Sequence, residues 1–164
     1  MSAPDLEPIS WRALEALADV VRGITQANGY HTDIGAGPVI LDDEQIDADA
    51  PDQSAVFIDA TEILVESSGR GMVNNGMDIT IEFVVPRTAA NRNPKLLVHR
   101  GCADLVRALS FKTSGRDTTL PAGFRSFEVT GARLDGITEE DTGDAVVIAQ
   151  VTARAGLTDL KLPA

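Results

Sequence analysis

The chain has 164 residues, a single cysteine and a formal net charge of −11 at pH 7. That length suffices for one domain to bury a core without a metal or disulfide, and the lone Cys102 excludes an internal one. The acid excess argues against a basic, sequence-reading nucleic-acid face, and an aromatic content of 4% argues against a base-stacking platform.

Residues 1–8 are expected to form a loose tail. The opening MSAPDLEPIS lacks the basic n-region of a signal peptide, and no apolar run approaches the ~20 residues that span a bilayer. No membrane partner is therefore expected, and the absence of disulfides suits a reducing cytoplasm. Ser10 reads as an N-cap, with Ile9 and Leu14 as a hydrophobic staple. Leu14, Leu17, Val21 and Ile24 share one helical face, which predicts a helix from Trp11 to Ala27 stopped by Asn28-Gly29. Tyr30–Gly35 and Val39–Leu41 read as two short strands around Gly37-Pro38. Residues 42–52, DDEQIDADAPD, read as a solvated acidic loop.

Two longer apolar runs follow, AVFIDATEILVE over 55–66 and MDITIEFVV over 77–85. In the second, Met77, Ile79, Ile81, Phe83 and Val85 alternate with polar residues, the period of a half-buried antiparallel strand. In the first, the apolar phase changes between Val56/Ile58 and Ile63/Val65, which predicts a β-bulge near Ala60-Thr61. The connection SSGRGMVNNG, 67–76, reads as a flexible arm projecting from the sheet. Arg70, Met72, Val73, Asn74 and Asn75 on this arm are the candidate interface residues, an Arg beside exposed apolar side chains being suited to docking.

Asn93-Pro94 opens a second helix running to Leu109, with Val98, Cys102, Leu105 and Leu109 as its buried stripe. A loop over 113–123 and two last strands, Phe127–Thr130 and Ala145–Arg154, complete the chain, the strands joined by the acidic loop 135–144. The expected fold is a single α+β domain over 1–164. It has an antiparallel or mixed sheet, both helices on one face and a long projecting hairpin arm.

No catalytic constellation is legible. His31 and His99 lack metal-ligand spacing, and the acids from Asp42 to Asp49 lack the glycine and terminal glutamate of a calcium loop. No serine sits in Gly-x-Ser-x-Gly, and Cys102 lies inside a helix, where its thiolate gains no dipole support. Asp59 and Glu62, three apart, face opposite sides of a regular strand and converge only if it bulges. Gly69, Gly71 and Gly76 join strands rather than open a helix, so they form no phosphate loop. The expectation is a non-enzyme without cofactor or bound metal, with marginal affinity for duplex DNA. The competing reading is a small enzyme or ligand binder with a pocket converging on His31, Asp59 or Glu62.

Several segments together resemble a known family. A helix of the form Leu-x-x-Leu-Ala-x-x-Val precedes Gly29-Tyr30-His31-Thr32-Asp33-Ile34-Gly35 and Val39. The central strand Asp78–Val85, the helix Asn93–Leu109 and the strand Val147–Leu157, trailed by Thr158-Asp159 and Pro163, follow in the same order. In this the chain resembles the tail terminator, or minor tail, proteins of long-tailed bacteriophages. Its last strand lacks the aromatics expected there. The resemblance implies a virion tail subunit, assembled in the host cytoplasm, that caps the tail tube as a homo-oligomeric ring of six. Such a ring stops tube polymerisation and offers a surface to a head-completion protein, while DNA passes through its lumen without specific binding. A head–tail joining protein is the neighbouring alternative.

Overall fold

A computed structural model describes residues 7–41, 53–88, 93–113, 123–137 and 146–160. The acidic stretch 42–52, most of the 113–123 and 135–144 loops, and residues 1–6 of the expected tail lie outside the described residues.

Helix α1 spans Ile9–Arg22 and buries Ile9, Ala13, Leu14, Leu17, Ala18 and Val21. These positions recur at three and four, so one stripe meets the core. The helix begins two residues before the expected Trp11. Its N-cap is Pro8, which offers no side-chain cap, and Ser10 lies inside the helix. It also ends five residues early. Thr25 is extended, and its hydroxyl accepts from Asn28 N at 3.3 Å to cap a separate 3-10 turn, Gln26–Asn28. Gly29 terminates that turn in the left-handed region, as the Asn28-Gly29 pair predicts.

Tyr30–Gly35 is not a strand. Its amides turn to Asp104 of the second helix and to the carbonyls of Ile24 and Thr25 just beyond α1, and Ile34–Ala36 forms another 3-10 turn. Strand β1, Val39–Ile40, is the only piece of the expected pair, and it lies parallel to β2, Ala55–Gly69. Strand β3 spans Met72–Pro86, α2 spans Pro94–Thr113, β4 spans Phe124–Ile137 and β5 spans Val146–Leu160. Asn93 Oδ1 accepts from Leu96 N at 3.2 Å, capping α2 where the Asn-Pro pair places its start.

The sheet order is β1-β2-β3-β5-β4, antiparallel except for the β1–β2 pair. This is the expected α+β architecture with a mixed sheet and two helices. Met77, Ile79, Ile81, Phe83 and Val85 of β3 join Ala149, Val151, Ala153 and Leu157 of β5 in one cluster with Leu14, Leu17, Val98 and Leu105. The opposite face of the sheet carries polar pairs instead. Gln150 donates to Glu82 at 3.1 Å, and Thr130 to Thr152 at 3.0 Å.

The projecting arm is the main correction. Residues 67–76 are paired strand, not loop: Gly69 faces Met72 across a two-residue turn, Arg70-Gly71. Both turn residues have positive φ, 52° and 83°, the type I′ geometry that matches strand twist. Beyond the turn, β3 is held on its other side by β5 as far as the Met72–Leu160 pair. The segment is polar because its ladder needs no apolar cover, and that polarity mimics a loop.

Candidate functional site

The bulge in β2 falls where the apolar phase change places it, between Ala60 and Glu62. It puts Ile63 opposite Met77 and Val65 opposite Asn75, positions on the helix-bearing face. The same shift sets Asp59 opposite Thr80 and Glu62 opposite Asp78, so both acids lie on the open face. Every residue from Thr61 to Met72 is exposed. Ile63, Leu64, Val65 and Met72 are 48%, 42%, 69% and 43% exposed, a run of bare apolar side chains at one end of the sheet.

The five candidate interface residues are not equivalent. Arg70 and Met72 are presented at the hairpin tip. Asn74 donates to Ser67 Oγ at 2.9 Å and accepts from Thr158 Oγ1 at 2.8 Å, so it is spent within the sheet. Val73 and Asn75 are half-buried, and Asn75 Oδ1 is shut off from solvent with no hydrogen-bond partner among the described residues.

Beside this tip lies an ionic bridge that sequence reasoning missed. A second β2 bulge, between Val65 and Ser67, and a β4 bulge, between Phe124 and Ser126, insert Glu66 and Arg125. Arg125 Nη2 reaches Glu66 Oε2 at 3.3 Å, and Arg154 Nη2 reaches Glu66 Oε1 at 3.5 Å. The route across the sheet is cleared by Gly76 and Gly156, which pair in register. A Cβ on Gly76 would come within 2.7 Å of Glu66 Oε1 and 2.8 Å of Arg154 Nη2. These atoms end flexible, exposed side chains. Gly76→Ala is therefore expected to part the bridge while changing stability by less than ~1 kcal/mol, read from the urea midpoint. A loss above ~2 kcal/mol would mean that the bridge holds the tip together.

The residues that carry the family resemblance form a fastener. Asp104, fully buried on α2, accepts from His31 N at 3.0 Å, Thr32 N at 2.8 Å and Thr32 Oγ1 at 2.7 Å. Asp33 Oδ1 accepts from Gln26 N at 2.8 Å. The Arg107 guanidinium lies 5.3 Å from the Tyr30 ring centroid and donates to Gly29 O at 3.0 Å. The segment thus straps α1 to α2.

His31 lines a cleft of about 370 Å³ with Gln26, Asp33, Leu97 and Arg100, on the helix-bearing side. Asp59 lines a hollow of about 660 Å³ with Thr61, Thr80, Glu82 and Gln150. The structure therefore does not bring His31 together with Asp59 or Glu62. Among the described residues no group of three or more His, Cys, Asp and Glu could hold a metal ion, and no helix is long and apolar enough to cross a membrane. Cys102 is half-buried, not fully in the core, and burial pushes its thiol pKa up, which disfavours the nucleophilic thiolate. Compared with known proteins, the chain matches no family model and no curated relative.

Proposed function

We propose that this chain is a structural assembly subunit, a phage tail terminator that caps the tail tube as a homo-oligomeric ring of six. The ring ends tube polymerisation, gives a head-completion protein its landing surface and lets DNA pass through its lumen. The sequence resemblance supplies the class. The observation that carries it here is the open sheet face. Along adjacent strands, Asp59, Glu62, Glu66, Asp78, Glu82, Glu128 and Asp135 fall on that face against Arg125, Arg133 and Arg154. An acidic, hydrogen-bonded wall presents like charge to DNA and no cation stripe whose counterions could be released. It suits a channel that conducts DNA without holding it.

In this reading Arg70 and Met72 dock on the tube or on a neighbouring subunit. The experiment pairs Arg70→Asn, which tolerates the left-handed turn, with Met72→Ser at an exposed site. The double variant is expected to keep the wild-type melting temperature, because neither side chain is in the core. It is expected to leave tail tubes uncapped and of uncontrolled length in negative-stain images. Full complementation of a terminator-deficient phage by this variant would remove the hairpin tip from the docking surface.

A further inference from the structure

Two sheet edges are open among the described residues. On β2, strand β1 covers only Val56 and Phe57, so 58–69 has no outer partner. On β4, the whole of Phe124–Ile137 is unpaired on its outer side. Each edge is a row of backbone donors and acceptors that a further strand can satisfy. Neither carries the lysines or proline with which exposed edges are commonly blunted, although each bulges twice.

The two edges match in two respects. In direction, β2 and β4 run antiparallel to each other, because three antiparallel pairings separate them. Simple repetition of the subunit therefore sets β2 of one copy antiparallel to β4 of the next. In apolarity, one sheet row runs Ile63, Met77, Ala155, Phe127, and the next runs Val65, Asn75, Leu157, Phe124. Met77, Ala155 and Leu157 are buried, yet each row ends on one edge in an exposed aliphatic residue and on the other in a half-buried phenylalanine. The two rings, with centroids 6.0 Å apart, form a continuous apolar ledge.

We infer that the 62–69 edge of one copy adds as an antiparallel strand to the β4 edge of the next. The contact seats Ile63 and Val65 on the Phe124–Phe127 ledge. It is heterologous, using different patches on the two copies, so repetition closes a ring when the rotation allows. The sheets of successive copies then join, and the acidic open faces merge into one wall. This deepens the assembly reading and rests on it for the occupant, a second copy of this chain.

The test places a photo-cross-linking benzoylphenylalanine at position 65, an exposed site, and mixes nitrogen-15-labelled with unlabelled chains. Inter-chain cross-links are expected to map to 124–130 of the other copy, and a reciprocal probe at position 128 to 62–69. Ile63→Lys with Val65→Lys is expected to abolish the oligomer in sedimentation while leaving the circular dichroism spectrum unchanged. Cross-links from 65 to β2 of the other copy would overturn the inference, as would a wild-type chain that stays monomeric up to ~1 mM. Cross-linked rings that leave tube length uncontrolled would sink the terminator reading and keep the contact. Capped tubes without β2–β4 cross-links would do the reverse.

Discussion

Asp104→Ala is expected to destabilise the protein by about 2–5 kcal/mol, through the buried hydrogen-bond donors it orphans. The carboxylate is fully buried and takes two backbone amides and a hydroxyl. Alanine leaves the buried Thr32 amide and hydroxyl without an acceptor, at roughly 1–3 kcal/mol each, while the amide of the exposed His31 can turn to water. The effect is also local. Hydrogen exchange at the His31 and Thr32 amides is expected to rise more than at the β3 amides, because the strap between the helices opens first. Asp104→Asn keeps one acceptor oxygen and is expected to lose about half as much. A change below ~1 kcal/mol in the alanine variant would show that the strap is held elsewhere.

Phe83→Ala is the second large effect, with an expected loss of about 3–5 kcal/mol for truncating a buried phenylalanine. The residue is 1% exposed, and its β-ladder partners are Val56 and Ala149. Its ring lies so close to Gly101 of α2 that a Cβ there would come within 3.0 Å of Cδ2. Sheet and helix therefore meet at this ring, and its removal leaves a cavity that the small neighbours Gly101 and Ala149 cannot fill. Urea unfolding of the variant measures the loss. A value under ~1 kcal/mol would mean that the ring does not anchor α2 to the sheet.

How far the sequence could be read differs from element to element. The alternation of Met77 through Val85 identified β3 and its buried face, because a strand covered on one side records that cover directly. The phase slip at Ala60-Thr61 gave the bulge for the same reason. The Tyr30–Gly35 segment was misread because its amides pair with a carboxylate more than seventy residues away, and no local pattern carries that. The available signal was Asp104 itself, an acid beside Leu105 on a stripe that is otherwise apolar. The 67–76 segment was misread because the ladder extends beyond the helical cover, where strand residues no longer need an apolar face. Of the five candidate interface residues, Arg70 and Met72 are exposed at the hairpin tip. The Asn74 side chain instead holds Ser67 and Thr158, a role that depends on strand register and that no local pattern shows. The Glu66–Arg125–Arg154 bridge depends on two bulges and two glycines from four strands, and was legible in none of them singly.

The central claim is that the protein ends the growth of a tail tube. The most direct measurement is the length distribution of tail tubes polymerised with and without the purified chain, read from negative-stain images. The expected result is one narrow distribution in its presence, with a six-fold ring at one end of each tube, and a broad one in its absence. Equal distributions, with no density added at either tube end, would contradict the claim.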